Sequence, residues 1–327
     1  MAAVFVTGGS GFIGGRLIER LVADGGSVRA VARTERSAAR VAELGAEPVR
    51  CDLDDVGALS SGAEGCELGF HLAGKVTDWG PWEEFEHDNV DGTRNVIAAC
   101  AAAGVRRLVH AGTEAALMAG QPLIEVDETA PLRPDSKAHY ARSKAIAERL
   151  VIGASRDGFE TVVVRPRFVW GRGDTTLLPG LVDRARSGRF AWIGGGGQRT
   201  ATTHVDNTVH GFRLAAERGR PGEAYFVTDG EPVVFREFVS ELIASQGVEP
   251  PRRSLPAPVA NGLAAAGETV WRTLRLRGSP PLTHFACWVS SLECTIDISK
   301  ARAELGYDPV RTREEGLTEL RQAPAAV

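Results

Sequence analysis

The sequence predicts an α/β fold, a doubly wound parallel sheet joined to a smaller, interleaved lobe. Three observations lead there. In "VFVTGGSGFIGGRLIERLV", residues 4–22, an apolar run breaks into glycines and resumes with helical spacing. Strand-like and helix-like runs then alternate through the first half of the chain. The alternation stops after "VVVRPRFVWGRGD", where a strand runs into a loop.

Val4–Val6 reads as a buried strand, and Ile13, Leu17, Ile18 and Leu21 recur at helical spacing. Gly8, Gly11 and Gly14 fall at the turn between them. Glycine there lets the backbone turn tightly, lets a ligand approach the main chain, and seats a helix against a sheet. The helix opens at Phe12 and Ile13, and its first-turn N–H groups and positive dipole end suit a pyrophosphate. The competing reading is a glycine-rich turn that binds nothing. A strand directly before and a long amphipathic helix directly after favour a dinucleotide.

Further strands are expected at Val28–Ala32, Glu47–Cys51, Leu68–Leu72, Arg107–Ala111 and Thr161–Arg165, with helices at Asp91–Ala103 and Tyr140–Ser155. "GEAYFVTDG", residues 222–230, reads as a late strand returning to the sheet. Residues 1–171, with 203–230, then form the dinucleotide-binding domain. Residues 172–202 and 231–327, rich in Pro, Gly and Arg, form the substrate lobe. The stretch "VANGLAAAGETVWRTLRL", 259–276, reads as a helix whose apolar face packs on that lobe, an access lid or a membrane contact being the alternatives.

In open α/β sheets ligands bind outside the carboxyl ends of the strands, so the residues following each strand are the candidates. After the second strand come Ala32 and Arg33, with no acid to hold the ribose hydroxyls. Arg33 stands nineteen positions after Gly14, about where that acid belongs. A guanidinium there, with Arg36 one turn on, favours a 2′-phosphate, hence NADP with NAD as the alternative. Asp52 and Leu53 follow the third strand and border the adenine, unless Asp52 is only an acidic helix cap. Ala73 and Gly74 follow the fourth, small enough for a cofactor to lie against them. Thr113 follows the fifth. Tyr140 and Lys144 in "YARSK" are four apart, on one helix face. A free phenol titrates near ~10, and an adjacent ammonium pulls it toward the working range of an acid–base catalyst.

These segments resemble the extended short-chain dehydrogenases/reductases (the NAD-dependent epimerase/dehydratase superfamily), and within them the 3β-hydroxysteroid dehydrogenase-like branch. The matching residues are "TGGSGFIG", "HLAG", "NVDGTRNV", "TEAAL", "YARSKAIAE", "RPRFVWGRGD", "TTHVDN" and "KARAELGYDP", running from Thr7 to Pro309. The resemblance implies a Rossmann-type fold. It also implies that Tyr140 exchanges a proton with the substrate oxygen and that Thr113 hydrogen-bonds the same oxygen. Lys144 would hold the nicotinamide ribose and tune Tyr140, and Pro166 would flank the nicotinamide. One departure is Ala111-Gly112 before Thr113, where relatives often carry a pair of hydroxyl residues.

The expected activity is an NAD(P)-dependent interconversion of a secondary alcohol and a ketone on a bulky, sterol-like substrate. A nucleotide-sugar epimerase or dehydratase and a flavonoid or β-keto reductase are the enzymatic alternatives. An NADP-binding redox sensor is the non-enzymatic one. Trp79, Trp82, Trp170 and Trp192 are expected around an apolar substrate mouth, each having packing in the core as its competing reading. His71, His204 and Asp206 read as structural.

A net charge of −4 and a pI near 6.0 give no electrostatic footprint for nucleic acid. The five cysteines form no metal-binding spacing, and no metal is expected. No apolar run is long enough to span a membrane, and the first strand leaves no room for a signal peptide, so the expected location is cytoplasmic. Val96, Ile97, Ile146 and Leu150 lie on helices whose equivalents in relatives pair two subunits, which implies a homodimer. Covering one face of the chain's own sheet is the alternative.

Overall fold

A central sheet of seven parallel strands dominates the computed structural model, which describes residues 3–322. Its strands are β1 (Ala3–Thr7), β2 (Val28–Val31), β3 (Glu47–Val49), β4 (Cys66–His71), β5 (Arg107–Ala111), β7 (Glu160–Pro166) and β12 (Glu223–Val227), in the spatial order β12-β7-β5-β4-β1-β2-β3. Helices cover both faces, so the strands are apolar on both sides. Phe5, Val6 and Val162–Val164 accordingly lose essentially all solvent contact. The expected strands appear within a few residues at each end. The late strand returns to the sheet edge as β12, paired with β7 from Glu223↔Val162 to Val227↔Pro166.

The helices are α1 (Phe12–Ala23), α2 (Glu35–Glu43), α3 (Val56–Ala63), α4 (Trp82–Phe85), α5 (Gly92–Ala102), α6 (His139–Gly153), α7 (Leu178–Arg186), α8 (Val205–Arg218), α9 (Phe235–Ser245), α10 (Ala257–Thr273), α11 (His284–Ser291) and α12 (Arg313–Gln322). Helix α1 buries Leu17 and Ile18, and Arg16 Nε on its flank reaches Asp206 of α8 at 2.6 Å. Asp206 thereby ties two helices together, the structural part expected of it. Strand order reverses between β1 and β4, which opens a crevice beyond their carboxyl ends.

The second sheet has the order β13-β10-β15-β6, from β6 (Leu123–Val126), β10 (Arg199–Thr200), β13 (Val233–Val234) and β15 (Cys294–Ile296). There are also two short parallel pairs: β8 (Val169–Trp170) with β11 (Thr203–His204), and β9 (Trp192–Ile193) with β14 (Ser254–Leu255). Strand β6 lies within the span expected for the large domain, yet it pairs with β15 through Leu123↔Cys294. The chain therefore passes between the two sheets upstream of residue 171 as well as downstream.

Candidate active site

The crevice starts at the turn after β1. Gly8 has φ +75°, and a Cβ on it would lie 2.6 Å from the Ala73 nitrogen, so the turn after β4 presses directly on it. A Cβ on Gly14 would lie 2.2 Å from the Gly8 carbonyl oxygen. Gly11 differs. Its φ is −81°, and a Cβ there would meet nothing closer than 3.3 Å. Two glycines therefore close the turn, while the third keeps the start of α1 bare. No side chain caps that helix at Gly11, which leaves the first-turn donors of Phe12 and Ile13 to an incoming anion. These residues fit a dinucleotide pyrophosphate.

Behind this turn, Thr7 Oγ1 bonds His71 Nδ1 at 2.7 Å, and His71 Nε2 bonds Thr93 Oγ1 at 2.9 Å. Burial, and secondarily the Lys144 charge, hold the His71 imidazole down at about 3. It is a neutral strut, in keeping with its structural reading. Gly74 has a reason the sequence did not disclose: a Cβ there would lie 2.8 Å from Asn89 Oδ1. Asn89 is buried and grips this loop, accepting from the Lys75 N–H at 2.6 Å. Its Nδ2 donates to the Lys75 carbonyl at 3.0 Å and to Ser143 Oγ of α6 at 2.8 Å. Sequence reasoning missed Asn89, although it opens the "NVDGTRNV" segment.

At the adenosine end, Arg33 Nη1 lies 3.7 Å from Asp52 Oδ2, and both side chains are exposed. Asp52 is not the cap of α3. Asp55 holds that position, accepting from the Ala58 N–H at 2.9 Å, while Asp52 Oδ1 accepts from the Leu53 N–H at 2.7 Å. The Leu53 carbonyl is fixed by Asn95 Nδ2 at 2.9 Å.

Thr113 follows β5 and Tyr140 opens α6. Lys144, one turn along, donates from Nζ to the Ala111 carbonyl at 2.6 Å and lies 3.5 Å from His110 Nε2. Burial pushes the Lys144 amine down to about 8, with the Glu148 charge opposing. The Tyr140 phenol moves against expectation. Desolvation and then the Glu114 carboxylate raise it well above its ordinary range, and the Thr113 hydroxyl opposes them. Glu114 is the second residue that sequence reasoning missed. It is buried, accepts from Thr113 Oγ1 at 2.8 Å, and forms an ion pair with the buried Arg167. Pro166 ends β7, buried beside β12.

The four tryptophans divide. Trp170 and Trp192 are core residues, each 1% exposed, and their indole N–H groups donate to Asp229 and to the Pro251 carbonyl. Both are enclosed in apolar clusters, Trp170 with Leu178, Phe238 and Leu317 and Trp192 with Phe235 and Val239, and line no mouth. Trp79 and Trp82 are nearer the site: Trp82 packs edge-on to His139, the neighbour of Tyr140, and Trp79 shares a narrow crevice with His139 and Phe285. Phe285 stands edge-on to Tyr140 with ring centroids 5.4 Å apart.

A model of the 3-beta hydroxysteroid dehydrogenase/isomerase family matches residues 5–257. The chain belongs to that family. Like its members, this 3-beta hydroxysteroid dehydrogenase/isomerase family protein is an NAD(P)-dependent oxidoreductase interconverting an alcohol and a ketone. It is 45% identical to a 4-hydroxy-2-methyl-3-oxo-4-farnesyl-3,4-dihydroquinoline-1-oxide ketoreductase from Stigmatella aurantiaca, over 98% of this chain and 96% of that one. It is 38% identical to a 2-alkyl-3-oxoalkanoate reductase from Stenotrophomonas maltophilia, over 99% of each. Among solved structures, gox2253 matches with TM-score 0.76 and 28% identity over 98% of each chain. A dTDP-glucose 4,6-dehydratase from Streptomyces venezuelae, crystallised with NAD, shares the fold, with TM-score 0.75 and 23% identity over 98% of this chain and 95% of that one.

Proposed function

We propose that this family member reduces the ketone of a bulky, largely apolar keto compound, with NADPH as the preferred reductant. The observation that carries the chemistry is the placing of Thr113 after β5 and of Tyr140 and Lys144 one turn apart on α6, at the carboxyl end of the sheet. Relatives named as ketoreductase and 2-alkyl-3-oxoalkanoate reductase support reduction as the direction. Trp79, Trp82 and Phe285 around Tyr140 supply apolar surface for the substrate.

In this reading the nicotinamide supplies the hydride when bound. Gly8, Gly11, Phe12, Ile13 and Gly14 hold its pyrophosphate, and Asp52 and Leu53 border the adenine. Arg33 takes the 2′-phosphate, while Ala73, Gly74 and Pro166 line its path. Tyr140 gives its proton to the ketone oxygen, and the Thr113 hydroxyl fixes that oxygen by turning its one proton from Glu114 Oε2 to it. Lys144, a cation below about 8, holds the nicotinamide ribose and offsets the charge left on Tyr140. The assembly we propose is a homodimer through α5 and α6 using the half-buried Ile146 and Leu150. Val96 takes no part, because it is fully buried inside its own chain.

The test is turnover on a panel of prenylated, alkylated and steroidal ketones with NADPH and with NADH. Tyr140→Phe should bind cofactor normally while kcat falls by about 100-fold or more, the order of a lost general acid. Wild-type kcat in that variant, or turnover of nucleotide sugars alone, would overturn the reading.

A further inference from the structure

Two side chains of α6 follow Tyr140 at intervals of four: Lys144 and then Glu148, the last residue of "YARSKAIAE". That spacing places all three on one helix face, with successive Cβ atoms about 5–6 Å apart. The Glu148 side chain has no exposed surface. Its Oε1 accepts from Arg165 Nε at 2.9 Å and from Arg165 Nη2, and Arg165 is itself buried on β7. Its Oε2 is buried and meets no hydrogen-bond donor among the described residues.

That oxygen and the Lys144 amine lie against the same short segment. Lys144 Nζ donates to the Ala111 carbonyl at 2.6 Å, and a Cβ on Gly112 would lie 3.1 Å from Glu148 Oε2. The same Cβ would lie 2.6 Å from Val163 Cγ1, so the packing leaves no room at Gly112 for the hydroxyl residue that relatives often carry. The glycine thus leaves the carboxylate bare. A buried ion pair is weak evidence of a stabilising role, since apolar residues of similar volume often hold a fold equally well. One with an unpaired oxygen points to a second use of the charge.

Lys144 is where that charge acts. Burial pushes its amine down to about 8, and the Glu148 charge opposes the fall. The other groups around it offer no free negative charge. From β5, His110 Nε2 lies 3.5 Å from Nζ, and the His71 ring of β4 stacks beyond it; burial, then the Lys144 charge, keeps both imidazoles neutral. Tyr140 keeps its proton, Arg165 is a cation, and Glu114, which acts on Tyr140, is paired with Arg167. We propose that Glu148 is a positioning residue for Lys144: its buried carboxylate, one helical turn away, is the counter-charge that keeps Lys144 an ammonium, anchored on the Ala111 carbonyl and ready for the nicotinamide ribose. The proposal rests on the part given to Lys144 above, whereas the counter-charge itself is read without cofactor or substrate.

The chain has four lysines, Lys75, Lys137, Lys144 and Lys300. An isotopic carbon label at lysine Cε therefore gives few NMR resonances, and Lys144→Arg identifies the one belonging to Lys144. Titrated without cofactor, that resonance should show a midpoint of about 8 in the wild type. In Glu148→Gln the midpoint should fall by about one pH unit or more. Glu148→Asp keeps the charge and should stay closer to the wild type. Glutamine keeps the length and an oxygen for Arg165, so a merely structural part would give the opposite order. Where Glu148→Gln fails to fold, Glu148→Gln with Arg165→Met removes the pair together and should show the same fall. With NADPH and a ketone, the alkaline limb of kcat should move down with the midpoint. An unmoved midpoint in Glu148→Gln, or one lowered as far in Glu148→Asp, would overturn the proposal. The titration needs no turnover, so this reading and the functional one fail independently.

Discussion

The Thr113 hydroxyl donates to Glu114 Oε2 at 2.8 Å, so the proton expected to meet the substrate oxygen is engaged by the neighbouring carboxylate. That carboxylate is anchored in turn by Arg167, in a pair with almost no solvent contact. Glu114 also raises the Tyr140 phenol. One buried acid thus orients the hydroxyl and adds to the burial that keeps the proton on the tyrosine.

Glu114→Gln should therefore act in two ways. Leaving Arg167 buried without its counter-charge should cost about 3–5 kcal/mol, read in urea unfolding. Removing the negative charge should also lower the Tyr140 pKa and release the Thr113 hydroxyl, so kcat at neutral pH should change in the folded variant. An unchanged kcat beside the lost stability would show that Glu114 acts on stability alone.

The glycines of the first turn should separate by role. Gly14→Ala drives a Cβ into the Gly8 carbonyl at 2.2 Å, backbone against backbone, and should cost several kcal/mol or prevent folding. Gly11→Ala meets nothing closer than 3.3 Å and should fold, yet bind NADPH and NADH more weakly by a similar factor. Calorimetry on the two variants distinguishes the roles.

Cofactor preference should follow Arg33. Its guanidinium is exposed and lies 3.7 Å from Asp52, a distance at which it can turn to a phosphate at little cost. Arg33→Gln should reduce NADPH affinity about tenfold and leave NADH affinity nearly unchanged. Equal losses for both cofactors would remove Arg33 from phosphate recognition.

Acid stability should depend on His71. Its folded pKa is about 3 against 6.5 for the free group. Between those values the unfolded chain binds a proton that the folded chain does not. Stability therefore rises with pH across the window and is lost as pH falls through it. His71→Asn should lower stability at neutral pH by removing the Thr7 and Thr93 bonds. Its stability should fall less steeply than that of the wild type from pH 6.5 toward 3, measured by urea unfolding across that range.

What the sequence by itself determined is what local periodicity encodes. The strand–glycine–helix turn, the succession of strands and helices along the first half, Tyr140 and Lys144 on one face of α6, and Thr113 after β5 all follow from spacing within a few residues. Tertiary structure decided what depends on partners far along the chain. Glu114 meets Arg167 fifty-three positions away, and Asn89 meets Ser143 fifty-four positions away. Strand β6 joins β15, and Trp170 and Trp192 turn into cores rather than a mouth. The physical reason is that helix and strand patterns record which face of an element is apolar, whereas a hydrogen bond or ion pair between distant segments leaves no period behind. The Tyr140 phenol shows the difference most plainly: its spacing from Lys144 was legible, but the charge and burial that set its proton belong to the folded molecule.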